Sequence, residues 1–321
     1  GGYIGPVART HPDMQELRVY KTGPNSEEEW IGCDGGVYHS TDFVASHDAM
    51  CRGLEAINLW GYDQGWNEDI RVGGRYHNGN MGADEDEDYP DGKYIALGGG
   101  EAPTGYVNYS DERKTYFSDV DGKVMPHSLS EAPVNFPMSF DPNESYYNCS
   151  SSRILFDDRY FNVAWSGKDN TLYRSTNGGS AFNVFHTFGS NVNDKVLWID
   201  QSYADPRVFT VQQAVGNTSR LWRTVDDGAT WNQLTLPSTS RNLYFTLGSE
   251  NPGDIWIGYT DRPNGQKVYH SADGGATWTN LTTAMLDNEK VWSITHQYGT
   301  DGGVYLGLLN GRVLYRNNTM A

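Results

Sequence analysis

An eight-residue pattern that occurs twice constrains the fold of this chain more than any other feature. Residues 224–231 and 271–278 both read Ser/Thr-x-Asp-x-Gly-x-Thr-Trp, and residues 175–182 hold a weaker copy with Asn in place of Asp. In such a loop the carboxylate accepts backbone N–H bonds, and the glycine adopts a positive φ. Each copy lies between short apolar segments, so the pattern predicts tight hairpins that join β-strands.

A longer repeat surrounds these loops. An apolar, an aromatic and a basic residue precede each Ser or Thr, and the same phrase occurs before Ser40 and before Asn317. The later phrases recur about every 47 residues, which is the length of one four-stranded blade. Three such periods fit between Ser40 and Ser175, so the sequence predicts seven hairpin positions in all.

The eight-residue loop closely resembles the Asp-box, or BNR, repeat of sialidases, xyloglucanases and sortilin-type receptors. The resemblance implies an all-β fold, a β-propeller of about seven four-stranded blades, with residues 1–321 forming a single domain. It also implies that the box residues are structural, with Trp231 and Trp278 buried beneath their hairpins. The residues so assigned are Ser175, Asn177, Asp226, Gly228, Trp231, Asp273, Gly275 and Trp278.

Charge narrows the classes of partner. The 321 residues carry a formal net charge of −17 and a pI near 4.7. Binding to nucleic acid needs a basic surface, and an anionic membrane surface also attracts cations, so neither partner is expected. No apolar run approaches the ~20 residues of a membrane span, so membrane insertion is not expected.

No cofactor or metal site is expected from the sequence. The acidic run at residues 84–88 places five carboxylates side by side, whereas a calcium loop needs staggered oxygens and a glycine turn. A solvated loop is the prediction for this run. Cys33, Cys51 and Cys149 allow two interpretations, a bridge between Cys33 and Cys51 or three buried small hydrophobic residues.

Two glycine-rich segments support a second, broader resemblance. Residues 73–80 and 98–105 are similar to paired loop phrases of propellers in large Bacteroidetes surface proteins that are exported by the type IX system. The resemblance implies an extracellular or cell-surface location, with other domains of the same protein or other surface proteins as partners. Because the chain begins at Gly1 and ends just after a strand phrase, we expect it to be an excerpt of a longer secreted protein.

A group of aromatic and polar residues in the irregular stretch before residue 134 is the candidate binding surface. Its rings and polar groups would suit the stacking of a glycan or the docking of a peptide. The alternative is that the tryptophans are blade core and that residues 77–79 form a plain turn. The candidate residues are Trp60, Tyr62, Trp66, Arg75, Tyr76, His77 and Asn78.

The sequence offers weaker support for catalysis. No Arg-Ile-Pro phrase precedes the first box, which argues against a sialidase. A xyloglucanase-like hydrolase of the inverting type needs two carboxylates ~6.5–9.5 Å apart, and the sequence cannot pair Asp63, Glu68, Asp69 and Glu101 in this way. We therefore assign no catalytic residue and expect a non-catalytic extracellular binding or display module. The alternative is a glycoside hydrolase of the xyloglucanase-like propeller type.

Overall fold

The structure of the protein is a computed structural model, and all statements below concern the residues it describes. The described ranges are 14–33, 36–42, 44–50, 59–75, 79–84, 93–99, 105–117, 122–137, 144–145, 148–149 and 152–319. They belong to two compact units, unit 1 with Gly1–Val107 and Glu112–Phe136, and unit 2 with Asn108–Asp111 and Pro137–Ala321.

Unit 1 consists of three four-stranded sheets, which we call blades 1, 2 and 3. Blade 1 contains β1 (Met14–Gly23), β2 (Ser26–Cys33), β3 (Gly36–Ser40) and β4 (Asp48–Ala49). Blade 2 contains β5 (Leu59–Gln64), β6 (Arg71–Arg75), β7 (Gly79–Ala83) and β8 (Ile95–Gly98). Blade 3 contains β9 (Gly105–Val107), β10 (Lys114–Phe117), β11 (Gly122–Val124) and β12 (Val134–Phe136).

Unit 2 begins with a small ribbon of β13 (Glu144–Ser145) and β14 (Asn148–Cys149), which is followed by blades 4 to 7. Blade 4 contains β15 (Leu155–Phe156), β16 (Ala164–Lys168), β17 (Thr171–Ser175) and β18 (Asn183–Thr187). Blade 5 contains β19 (Val196–Gln201), β20 (Phe209–Val215), β21 (Thr218–Thr224) and β22 (Asn232–Gln233). Blade 6 contains β23 (Leu243–Leu247), β24 (Ile255–Tyr259), β25 (Val268–Ser271) and β26 (Thr279–Asn280). Blade 7 contains β27 (Val291–His296), β28 (Val304–Leu308) and β29 (Val313–Arg316).

The architecture is all-β. Every blade is an antiparallel meander in which strands that follow each other in sequence are neighbours in the sheet. Among the described residues the only helical segment is a single 3-10 turn at Ala284–Leu286. None of their helices has the length and apolar character that a membrane crossing requires. The seven sheets agree with the predicted number of blades, and a single domain over residues 1–321 stays a prediction.

Consecutive blades of unit 2 share hydrophobic cores. Trp165 of blade 4 lies against Phe209 of blade 5, with ring centroids 4.8 Å apart, and both side chains are almost fully buried. Leu172 and Ile199 belong to the same cluster. Both faces of these sheets are covered, which explains why their strands read as nearly continuous apolar runs.

In blades 3, 6 and 7 the free edge of the first strand is tied to the preceding blade. Three bonds of one kind occur: Asp63 Oδ2 accepts from the backbone of Val107 at 2.9 Å, Asp200 Oδ2 accepts from Leu247 at 3.0 Å, and Thr246 Oγ1 accepts from His296 at 3.3 Å. A buried N–H without an acceptor is costly, so these side chains complete the hydrogen bonding that the sheet leaves open.

The predicted hairpin loops share one hydrogen-bond pattern, shown here for residues 224–230. Asp226 Oδ1 accepts from the backbone of Thr230 at 2.9 Å and from the hydroxyl of Thr224 at 2.7 Å, while Oδ2 accepts from the hydroxyl of Thr230 at 2.7 Å. The Thr224 hydroxyl oxygen in turn accepts from the backbone of Gly228 at 2.9 Å. Residues 271–277 repeat every one of these bonds around Asp273.

The weaker copy at residues 175–181 closes with an amide. Asn177 Oδ1 accepts from the backbone of Ala181 and from the hydroxyl of Ser175, both at 2.9 Å. The Ser175 oxygen accepts from the backbone of Gly179 at 2.9 Å. An oxygen at this position is therefore sufficient for the loop, and a negative charge is not required.

A fourth loop of this kind, at residues 40–46, corrects the sequence analysis. The sequence has no Gly-Thr-Trp after Asp42, yet Asp42 accepts from the backbone and the hydroxyl of Ser46 at 2.8 and 2.6 Å. The backbone of Val44 donates to the Ser40 hydroxyl oxygen at 3.1 Å, and Val44 takes the glycine position with φ +60°. The first, third and seventh residues thus define the loop, even at the cost of a β-branched residue in the left-handed region.

The tryptophans and glycines of these loops contact the blade that precedes them. Trp231 lies against Phe188 of blade 4, with ring centroids 5.1 Å apart, and the Trp278 indole donates to the Thr235 carbonyl at 2.8 Å. Both tryptophans are half-buried, less than the predicted burial beneath the hairpin, because they lie at the outer edge of the sheets. A Cβ on Gly228 would lie 2.6 Å from Phe185 of β18, so this loop needs glycine for space as well as for φ.

We expect Gly228→Ala to lower the free energy of unfolding by about 2–5 kcal/mol. The cost arises because a Cβ is disfavoured in the left-handed backbone region and would also clash with Phe185. Gly216→Ala is the matched control, because Gly216 also has positive φ but a Cβ there would meet nothing within 4 Å. It should cost only about 1–2 kcal/mol. Denaturant unfolding of the two variants measures the difference, and equal losses would contradict the proposed contact between blades.

Acid should weaken the loops that close with a carboxylate. Hydrogen bonds from Thr277, and then from Ser271, lower the pKa of Asp273 from 3.8 to about 2. A lowered pKa means that the unfolded chain binds the extra proton first, so this stabilisation is complete above pH 3.8 and is lost as the pH falls towards about 2.

Asp273→Asn should remove that pH dependence while keeping the loop, as Asn177 does in its own loop. The measurement is the melting temperature of both proteins between pH 5 and pH 2. The difference between them should shrink as the pH falls, and parallel curves across the whole range would show that the Asp273 bonds do not contribute.

Candidate functional site

One position recurs after the first strand of the blades and carries an aromatic ring in four of them. Strand pairing fixes the alignment, because Gln64, Val107, Gln201 and His296 occupy the same register in the first strands of blades 2, 3, 5 and 7. The second residue beyond each is aromatic. These residues are Trp66, Tyr109, Tyr203 and Tyr298.

Residues at this position meet in unit 2. The rings of Tyr203 in blade 5 and Tyr298 in blade 7 are in edge contact, with centroids 5.3 Å apart. The Tyr298 hydroxyl donates to Oδ2 of Asp158 at 3.0 Å, and Asp158 holds the same position in blade 4. Blades 4, 5 and 7 therefore bring one side chain each to one place.

Two arginines border these tyrosines. The Arg159 guanidinium lies 4.9 Å from the centroid of the Tyr203 ring, and the Arg153 guanidinium lies 4.8 Å from the centroid of Trp198. We call the group the tyrosine–aspartate cluster; its members are Arg153, Asp158, Arg159, Asp200, Tyr203 and Tyr298. Tyr203 and Tyr298 keep 42% and 56% of their surface exposed, which leaves their rings accessible to a ligand.

The electrostatics of the cluster are unusual for solvent-facing loops. Loss of solvent raises the pKa of Asp158, although the bonds and charges of Tyr298, Arg153 and Arg159 oppose the rise. Loss of solvent also raises the pKa of Asp200, against the charge of Arg153. The pKa of Tyr298 is raised by desolvation and by the charges of Asp158 and Asp200. The two carboxylates are thus less stabilised as anions than ordinary surface carboxylates.

In unit 1 the recurring position carries Trp66, whose loop is held by one buried carboxylate. Glu112 Oε1 accepts from the backbone of Trp66 at 2.7 Å and of Asn67 at 2.6 Å, and its Oε2 accepts from Glu68 at 2.6 Å. Glu112 is 4% exposed. The loop is fixed, while 55% of the Trp66 surface faces solvent.

The structure describes the predicted binding residues only in part. Tyr62 is 60% exposed in β5, and Trp66 follows that strand. Trp60 and Arg75 have their backbones in β5 and β6, and their side chains lie outside the description. Tyr76, His77 and Asn78 lie outside the described residues. A binding surface made by these seven residues stays a prediction.

The two glycine-rich segments adjoin each other within one sheet. Asn80 of β7 pairs with Gly98 of β8, so both belong to blade 2, and Gly105 begins blade 3. Their likeness to paired loops predicts the two segments in adjacent blades, whereas Gly98 lies in the same blade as Asn80. The difference arises because the fourth strand of blade 2 takes up the start of the second segment.

Several of the carboxylates considered for catalysis have structural partners. Asp63 accepts the Val107 backbone bond described above, and Glu68 lies 3.1 Å from Nε of Arg113. The same arginine forms a 2.7 Å ion pair with Asp84, which is only 5% exposed. The prediction of a solvated acidic loop is therefore wrong for Asp84, because a buried guanidinium neutralises it, and residues 85–88 lie outside the described residues.

Asp69, another of these candidates, also has polar neighbours. Asp69 lies 3.3 Å from the Gln64 amide and 3.9 Å from Arg71, and it is exposed. Glu101 and Cys51 lie outside the described residues. A bridge between Cys33 and Cys51 therefore stays a prediction. Within the ranges that the structure describes, no three His, Cys, Asp or Glu side chains come together as a metal site.

Sequence reasoning missed the tyrosine–aspartate cluster. Asp158, Tyr203 and Tyr298 follow first strands, whereas the conspicuous repeat lies after the third strands. The sequence does contain a signal for this position, in addition to the shared strand register. Asp200-Gln201 precedes Tyr203 at the same spacing at which Asp63-Gln64 precedes Trp66. An alignment of the first strands on these pairs would have placed both rings at one position.

Comparison with known proteins gives the class of fold. No protein-family model matches this sequence, and no curated protein matches it either. Among solved structures, the chain is similar to the β-propeller domain of Cps50 (Swd1) from Myceliophteria thermophila. The TM-score is 0.58 at 10% identity, over 97% of this chain and 98% of that one.

Two further similarities involve longer proteins. The extracellular domain of a one-component system from B. thetaiotaomicron matches with a TM-score of 0.52 at 10% identity, over 97% of this chain and 39% of that one. The GH74 enzyme of Niastella koreensis matches with a TM-score of 0.41 at 13% identity, over 95% and 54%. The last score is too low to support any shared activity. At these identities the likeness shows the fold alone, and the chain is a β-propeller.

We expect Glu112→Gln to release the loop that carries Trp66. The amide would place N–H donors against backbone donors in a buried site, at a cost of about 2–4 kcal/mol. Hydrogen exchange at residues 66–68 should accelerate. Glu131→Gln is the control, because Glu131 is exposed and its side chain forms no hydrogen bond among the described residues. Unchanged exchange in Glu112→Gln would show that the carboxylate does not hold the loop.

Proposed function

We propose that this β-propeller is a non-catalytic binding module of a larger secreted or cell-surface protein. The observation that carries the proposal is the pair of exposed rings, Tyr203 and Tyr298, which come from blades that are not consecutive and adjoin Asp158. Exposed aromatic rings beside a few charged groups are typical of binding surfaces. Other domains of the same protein, other surface proteins or a glycan are the partners we propose.

We further propose that the four hairpin loops are Asp-box repeats. Their support is the shared bonding of Asp42, Asn177, Asp226 and Asp273 to the residue four positions later in the chain. These residues are engaged within their loops, which fits a role in folding. An extracellular site of action is supported by the similarity to a propeller from an extracellular domain.

A glycoside hydrolase of the xyloglucanase-like type is the second candidate. The observation in its favour is the raised pKa of Asp158 and Asp200, since a general acid in a glycosidase must hold its proton near neutral pH. The Tyr298 bond and the Leu247 backbone bond already occupy one oxygen of each, which suits a structural role better.

The test is an assay panel of sialosides, xyloglucan and β-glucans on the purified chain, with calorimetric binding measured in parallel. We expect turnover of none of these compounds. For any compound whose binding calorimetry detects, Tyr298→Ala should raise the Kd by about tenfold or more. Turnover that disappears in Asp158→Asn or Asp200→Asn would overturn the proposal in favour of the hydrolase.

A further inference from the structure

We propose that the tyrosine–aspartate cluster recognises a cationic side chain, the lysine or arginine of a basic peptide segment. The inference rests on the proposed binding function and adds the chemical class of the partner. Two features of the cluster carry it, the exposed tyrosine rings and the deficit of positive charge around Asp158.

The ring faces already show the required chemistry. The Arg159 guanidinium sits over one face of Tyr203, at the distance of a cation–π contact. The Tyr298 ring stands at 82° to the Tyr203 ring and has the His296 ring 6.4 Å away between centroids, yet more than half of the residue is exposed. A second cation can therefore approach Tyr298 as Arg159 approaches Tyr203.

Asp158 provides the matching anion. Its Oδ2 accepts the Tyr298 hydroxyl, whereas its Oδ1 accepts no hydrogen bond among the described residues. The adjacent Asp157 differs, because its Oδ1 accepts from the backbones of Arg159 and Tyr160 and its Oδ2 from the Gln201 amide. Asp158 is thus the carboxylate with an oxygen left for a ligand, next to an exposed ring.

The charge of the surroundings selects the sign of the ligand. Three carboxylates, Asp157, Asp158 and Asp200, face two arginines, Arg153 and Arg159. A ligand cation would offset the charge that desolvation makes costly on Asp158, whereas an anion would be repelled. A neutral sugar would stack on the rings but leave that charge uncompensated. The net charge of −17 would also steer basic partners towards the chain.

The experiment measures binding of N-acetylated hexalysine to the complete chain by calorimetry, beside hexaglutamate and cellohexaose as anionic and neutral probes. We expect saturable binding of hexalysine alone. Asp158→Asn and Tyr298→Ala should each raise its Kd at least about tenfold. Tyr298→Phe keeps the ring and releases Oδ2 of Asp158, so it should retain the affinity.

Asp287→Asn is the matched control, because it changes the net charge by the same amount as Asp158→Asn. Asp287 is exposed and lies at the end of the 3-10 turn. This substitution should alter the Kd by less than about twofold. Melting temperatures confirm that each variant is folded.

Four results would overturn the inference. No saturable binding of hexalysine, or equal losses in Asp158→Asn and Asp287→Asn, would leave only bulk attraction between charges. Binding of cellohexaose that depends on Tyr298, with none of hexalysine, would reject the cationic ligand but keep the binding module. Hydrolysis of cellohexaose that is lost in Asp158→Asn would reject the binding module itself.

Discussion

The structure depends on how the first strand of each blade satisfies its unpaired backbone edge. Such a strand has one partner within its own sheet, and its other edge would bury N–H groups without acceptors. Asp63, Asp200 and Thr246 each supply an oxygen to the next blade at this edge. The same bonds fix the register between neighbouring sheets, and therefore they set where the turns after the first strands emerge. The tyrosine–aspartate cluster lies at those turns.

The loops after the third strands act at the opposite edge of each sheet. Their internal bonds are complete without any contact outside the loop, so each loop is a rigid local unit. Other residues contact the preceding blade. Its side chains fill the space beside Gly228 and Gly275, and the indoles of Trp231 and Trp278 lie against it. Blade 6 is thus joined to blade 5 at both edges, by a polar bond at the first strand and by contacts of Gly275 and Trp278 at the last.

Much of this fold could be predicted from the sequence, because a hairpin loop and its spacing are local signals. Asp226 and Asp273 identified two of the loops directly. The phrase before Ser40 identified strand β3 but not the loop at residues 40–46 that follows it. That loop escaped notice because Val44 and Ser46 replace Gly and Thr, although they form the same backbone bonds. The cluster around Tyr298 could not be found in this way, since Asp158 and Tyr298 are 140 residues apart and meet only after the blades are packed.

The contact of each hairpin loop with the blade before it has a consequence for synthesis of the chain. Phe185 in the outer strand of blade 4 adjoins Gly228 of blade 5, so this side of the ring is covered only when blade 5 is in place. Chains grow from the N-terminus and their parts fold as they emerge. A newly completed blade in unit 2 therefore leaves the ribosome with an unprotected outer side, and that side is closed one repeat later. Pauses in translation just before residue 231 would prolong this exposure, and a chaperone that binds apolar strands would have its longest access there.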